Sequence, residues 1–220
     1  MTYQERRVPA AGAIAWSDVG DGQGTWVLPD GCMDLIWDGR SLFVAGPDTG
    51  PRLADVPAGT HYTALRFDPG TGPAVLGVAA DAARDHDTPL DELWSRSEVA
   101  RLAEALATAP DPEAILVDVA ARRLRANPTE PWRARAADLL ASGATVAEVA
   151  DALGWSERTL HRRSLDAFGY GPKVLARILR LQRVLPLARE GMPFARAAAE
   201  AGYADQAHLC LLYTSDAADE

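Results

Sequence analysis

The sequence predicts an α+β protein: a mostly-β N-terminal domain, then an all-α domain with two helix-turn-helix units joined by a long helix. Three observations carry this expectation. Near Pro89 the texture of the 220-residue chain changes, from short apolar runs cut by Gly and Pro to long stretches of Ala, Leu, Arg and Glu. The charge changes too: residues 1–131 hold 11 arginines against 20 carboxylates, and residues 132–209 hold 11 basic side chains against 8 acidic ones. Finally, the segment that starts at Val146 returns in outline 48 residues later. The expected division is a β-rich domain over 1–90, a helical connector over 91–127, a helical domain over 128–209 and an aberrant tail over 210–220.

In the first ninety residues, short runs read as strands: Trp26-Val27-Leu28, Asp34 to Trp37, Ser41 to Val44, and Thr60 to Phe67. Pro29-Asp30-Gly31, Asp38-Gly39, Gly46-Pro47-Asp48 and Asp68-Pro69-Gly70 supply the turns between them. Strands and turns at this spacing predict a small antiparallel sheet or partial barrel. Trp26, Trp37, Phe43, Tyr62 and Phe67 either fill its core or line a pocket, and the core is the preferred expectation.

Residues 91–108 and 111–125 have helical periodicity, with Val99, Leu102 and Leu106 on one stripe and Ile115 and Val119 on another. Two prolines in Ala126-Asn127-Pro128-Thr129-Glu130-Pro131 stop a helix from running through. Pro131 then opens a helix presenting Trp132, Ala136, Leu139 and Leu140. Thr145 with Glu148 has the capping-box pattern. Gly154 suits a left-handed C-terminal position, Trp155 plugs the corner and Ser156 caps the next helix, through about Phe168. After Gly171-Pro172 a longer helix is expected, with Val174, Ile178, Leu181 and Leu185 inward and Lys173, Arg177, Arg180 and Arg183 beside them. Pro186 is expected to end or kink it.

The repeat matches Ala147 with Ala195, Ala150 with Ala198, Gly154 with Gly202 and Trp155 with Tyr203. Beyond the turn the offset grows by one, so that Leu160 is answered by Leu209.

Several classes are excluded. No apolar run reaches the roughly 18 residues of a membrane helix, and the first residues lead into no signal-type apolar core. Two cysteines, Cys32 and Cys210, build neither a disulfide scaffold nor a cysteine zinc site. His61, His86, Asp85 and Asp87 have no metal-ligand spacing. No phosphate-binding loop, nucleophile elbow or dinucleotide fingerprint occurs. The expectation is a cytoplasmic, non-enzymatic protein without cofactor, metal or membrane contact.

The segments Thr145 to Ala150, Gly154 to Arg163, Phe168 to Pro172, Arg180 to Arg183 and Ala201 to Leu209 together resemble the AraC/XylS-type transcriptional regulators. The front half, through Leu28 to Trp37 and Ala45-Gly46-Pro47-Asp48, resembles an uncharacterised N-terminal domain that accompanies some of them. The first resemblance implies a double-stranded DNA partner, with the two units entering successive major grooves. By position in that pattern, Arg158, His161 and Arg162 face bases, and Gln206 and Ala207 face DNA in the second unit. Ser156, Thr159, Arg163 and Arg177 are expected to position phosphates. The second resemblance implies a sensor or dimerisation role, hence a small-molecule effector or a homodimer.

The sequence departs from that family in three places. Ser164 replaces a large apolar residue, Pro186 interrupts the long helix, and after Leu209 the pattern collapses into an acidic tail that reads as cloning or sequencing read-through. The second unit is therefore expected to be incomplete and the chain a truncated copy. The alternative is a small-molecule sensor or dimerisation module whose truncated DNA-binding half does not function.

Overall fold

The computed structural model describes residues 3–189, 191–192 and 196. Eight strands form first: β1 Gln4–Val8, β2 Ala13–Val19, β3 Thr25–Val27, β4 Met33–Trp37, β5 Leu42–Ala45, β6 Arg52–Ala54, β7 His61–Phe67 and β8 Asp87–Pro89. Six make one sheet in the order β1-β2-β7-β4-β5-β8, every pair antiparallel, while β3 and β6 form a separate ribbon. The helices are α1 Gly72–Leu76, α2 Leu90–Leu93, α3 Arg96–Thr108, α4 Pro112–Ala126, α5 Pro131–Ala141, α6 Val146–Ala152, α7 Glu157–Phe168 and α8 Pro172–Arg189. No helix among the described residues is long and apolar enough to cross a membrane.

Period-two alternation gives the six-stranded sheet two unlike faces. One carries Ala13, Ala15, Met33, Leu35, Val44, Leu65 and Phe67, all buried against helices. Leu102 and Leu106 of α3 and Leu116 and Ala120 of α4 belong to that same core. The helices over 91–127 therefore complete the hydrophobic core of the sheet as well as connecting the halves. An interface between copies through these helices would have to use their outward faces.

The expected helix over 91–108 is broken. Trp94 leaves helical geometry, its indole N–H donating to the Leu76 carbonyl at 2.8 Å, and Ser95 caps α3 by accepting from the Glu98 amide. Arg123 of α4 ties the same corner. Its guanidinium lies 3.6 Å over the Trp94 ring and its Nε donates to the Val75 carbonyl at 2.8 Å. The buried stripe of α4 runs through Leu116 and Ala120, one residue past the expected Ile115 and Val119, which are only partly buried.

A second core, formed by α5 to α8, holds Ala136, Leu140, Val149, Leu160, Phe168, Tyr170, Leu175 and Ile178. The helix expected to end or kink at Pro186 runs on to Arg189. There a proline removes only one hydrogen bond, near the C-terminal end of the helix as described. Its fully buried stripe includes Leu175 and Val184, whereas Val174 and Leu185 are half-buried.

Ser164 is completely buried, and its hydroxyl finds no hydrogen-bond partner among the described residues. A buried hydroxyl without a partner costs stability. Ser164→Ala is therefore expected to stabilise the protein by about 1 kcal/mol, read as a higher midpoint of thermal unfolding. An unchanged or lower midpoint would show that the hydroxyl is satisfied in solution.

The two cores meet along a polar seam. Tyr170 donates its hydroxyl to the Asp48 carbonyl at 2.6 Å, and Arg84 donates to the Gly169 carbonyl at 3.2 Å. Arg133 donates to the Gly70 carbonyl at 2.9 Å, and Gln182 to the Pro29 carbonyl at 2.6 Å. Side chains of one half thus satisfy buried backbone carbonyls of the other.

Candidate nucleic-acid interface

α6 and α7 form the first helix-turn-helix, and their ends are fixed by the residues that the sequence suggested. The Thr145 amide donates to the Glu148 carboxylate at 2.8 Å while the Glu148 amide donates to the Thr145 hydroxyl at 3.2 Å, a complete capping box. These bonds hold the Glu148 carboxyl below its ordinary range. Gly154 has φ of 70°, a left-handed conformation that lets the chain turn, and the Trp155 amide returns to the Ala150 carbonyl at 2.9 Å. Ser156 caps α7, accepting from the Thr159 amide at 3.2 Å.

Trp155 is a plug, as read from the sequence. It meets Trp132 edge-on with ring centroids 5.0 Å apart, and Trp132 meets Phe168 in the same manner at 5.9 Å. These rings set the angle between α5 and α7.

The faces of α7 are sharply different. Leu160, Ser164, Ala167 and Phe168 point inward and are buried, whereas Arg158, His161 and Arg162 are exposed. At spacings of three and four these exposed residues share one face. Arg158 and Arg162 make no hydrogen bond or ion pair among the described residues. The His161 ring leans on the α7–α8 corner, where a Cβ added to Gly171 would come within 2.8 Å of its Nε2.

The other expected contacts are placed differently. Ser156 and Thr159 join their hydroxyls at 3.0 Å, at the N-terminal end of α7. Arg163 is already engaged, its guanidinium 4.5 Å over the Trp155 ring and 3.4 Å from the Glu130 carboxylate. Arg177 is half-buried on α8. Arg183 donates to the Ala141 carbonyl at 2.6 Å and so braces α5. Gln206 and Ala207, with the rest of the second unit and the tail, lie outside the described residues.

A cavity of about 580 Å³ lies on the other side of the protein from the helical core of the sheet, between the outward sheet face, the β3–β6 ribbon and α8. Strand register builds its floor: Asp34 pairs with both Ala45 and Arg66, and Ile36 with both Phe43 and Ala64. The Trp16 indole N–H donates to the Asp34 carboxylate at 2.8 Å. Arg66 lies between Asp30 and Asp34, with Nε at 3.4 Å and 3.8 Å from them. Burial pushes the Asp34 carboxyl up to about 7, against the opposing pull of Arg66. Asp30 also moves up, again through burial. Burial works against the Arg66 charge, but Asp34 and Asp30 more than offset it and raise its pKa.

This corrects the preferred expectation for three of the five aromatic residues. Trp37 and Phe67 fill the core, whereas Phe43, Tyr62 and Trp26 border the cavity, Trp26 remaining 65% exposed. Cys32 is half-buried and its thiol is pushed up by burial, with Asp30 and Asp34 adding to the effect. That is the reverse of what a nucleophile needs. The polar floor escaped the sequence reading, although alternation in Trp16-Ser17-Asp18 and Ala64-Leu65-Arg66 carries its signal.

Comparisons with known proteins agree with this architecture. A helix-turn-helix domain model matches residues 149–215, and a domain of unknown function (DUF6597) matches residues 14–89. No curated protein matches the chain significantly. Among solved structures, apo ToxT K231A from Vibrio cholerae is 11% identical, covers 96% of this chain and 95% of its own, and superposes with a TM-score of 0.50. Unsaturated fatty acid bound wild-type ToxT from Vibrio cholerae is 12% identical, with 91% of each chain covered and a TM-score of 0.46. The likeness is one of fold: a β N-terminal domain before a helical helix-turn-helix domain.

Proposed function

We propose that this chain, an AraC-type helix-turn-helix domain behind a domain of unknown function, is a sequence-specific DNA-binding transcriptional regulator that reads the major groove with α7. The observation that carries the reading is the outer face of α7. Arg158 and Arg162 stand there one turn apart, exposed, on a helix whose two ends and inner face are fixed by caps and packing. Such a face can enter a major groove, and arginine pairs bidentately with guanine O6 and N7.

His161, at the α7–α8 corner, borders the same groove. Ser156 and Thr159, with the amides of the first turn of α7, lie where a phosphate approaches, and the helix dipole favours an anion there. Arg163 supplies charge from the edge, held by Glu130 and Trp155, and Arg177 supplies it from α8. Gln206 and Ala207 serve the second unit in this proposal.

The division of labour is testable on duplexes of arbitrary sequence. Affinity is expected to fall steeply with salt, since each neutralised phosphate contributes a slope of about 0.9 to log K against log salt. Arg177→Ala should weaken every duplex about equally and flatten the slope by about 1. Salt-independent binding, or an Arg177→Ala effect confined to one sequence, would contradict it.

A further inference from the structure

We infer that the cavity is the binding site of an organic cation, an amine or quaternary ammonium group carried on an apolar or aromatic body. Its volume of about 580 Å³ suits a small molecule. Two kinds of lining decide the chemistry. Trp16, Phe43 and Tyr62 line it with rings from β2, β5 and β7, and ring faces attract cations that have shed water. The same lining carries six carboxyl side chains, those of Asp18, Asp30, Asp34, Asp48, Asp55 and Asp87.

Among the described residues two cationic side chains of the lining, Arg52 and Arg66, oppose them, and each is already held by a pair of carboxylates. Arg66 lies between Asp30 and Asp34, and Arg52 reaches Asp48 and Asp87, both at 3.1 Å. Asp18 and Asp55 make no ion pair among the described residues. An anionic ligand would have to take a guanidinium from two carboxylates and then sit among the remaining negative charge. A neutral one would remove water from carboxylates and return no partner, which is costly. A cation meets charge that the chain itself does not neutralise, and its body rests on the rings. At the mouth, the paired ribbon residues Trp26 and Leu53 stay 65% and 57% exposed, apolar surface available to the body of such a ligand.

One wall belongs to the helical domain. Gln182 and Leu185 of α8 line the cavity, Gln182 being tied to the Pro29 carbonyl. Asp48, another wall residue, receives the Tyr170 hydroxyl on its carbonyl. An occupant therefore touches the helix that follows the DNA-reading α7. The binding inference itself does not depend on the DNA reading, and its test contains no DNA.

The test is calorimetric titration of the full chain, at fixed ionic strength, with three probes of matched size: benzyltrimethylammonium, neopentylbenzene and 3-phenylpropionate. Benzyltrimethylammonium is expected to bind saturably at one equivalent, about tenfold or more tighter than either of the others. Phe43→Leu, which keeps apolar volume and removes the ring, should weaken the cation about tenfold and leave neopentylbenzene unchanged. Asp18→Asn should weaken the cation alone. Thermal unfolding of both variants without ligand checks that they remain folded. Equal or tighter binding of neopentylbenzene or 3-phenylpropionate would overturn the assignment, as would absence of saturable cation binding or loss of all probes alike in Phe43→Leu.

Discussion

Arg162→Ala is expected to lower affinity for a preferred DNA site by about 10- to 100-fold while leaving affinity for arbitrary duplexes nearly unchanged. Arg162 is exposed on the outer face of α7, and Leu160 and Ser164 on the opposite face are buried, so its truncation removes reach without disturbing the helix. Discrimination should relax at one base pair, the one whose edge the guanidinium meets. Arg158→Ala should do the same at a neighbouring base pair, because the two residues are one turn apart. The measurement is a competition series in which each base pair of the preferred site is varied in turn against wild type and both variants. Equal losses on every sequence would place Arg162 on phosphate instead of bases.

A larger effect, on folding, is expected from Gly46→Ala. A Cβ at position 46 would come within 1.6 Å of the Ala83 carbonyl oxygen, a backbone atom that cannot step aside as a side chain can. The Gly46 amide also donates to the His86 carbonyl at 3.0 Å, so the two segments are held at that separation. The loss should be about 3 kcal/mol or more, at or beyond the upper end of what overpacking usually costs. Gly50→Ala is the control, since nothing lies within 4 Å of a Cβ built there. Chemical denaturation of both variants reads the difference, and a Gly46→Ala midpoint matching that of Gly50→Ala would contradict the geometry.

What could be read from the sequence was what short-range chemistry encodes. Thr145, Ser156 and Gly154 mark helix ends through caps and a left-handed turn, and the structure uses each where the residue stands. Strands bounded by turn residues were equally legible. Those missed lack that punctuation or defy strand propensity. β1 is a charged edge strand with four of its five residues exposed, β2 begins Ala13-Ile14-Ala15, β6 has three residues, and β8 ends in proline. The resemblance to the AraC/XylS-type regulators pointed to Arg158, His161 and Arg162, which share an exposed face of α7. The engagement of Arg163 with Glu130 did not, because the partner stands 33 positions away across a helix boundary. The cavity was hidden for the same reason. Arg66 meets Asp34 only through the register of β7 with β4, and Gln182 reaches Pro29 across 153 positions. Registers and seams are set by long-range packing, which periodicity does not record.

Whether α7 reads sequence is decided by selection from a pool of random duplexes. The purified chain is used to capture duplexes near 0.15 M salt, about the physiological ionic strength, and the recovered fragments are sequenced beside those captured by Arg162→Ala. A sequence-reading α7 yields a shared motif from the unaltered chain and the same motif with one position relaxed from the variant. Recovery of fragments without any shared motif, or an identical motif from both proteins, would contradict it.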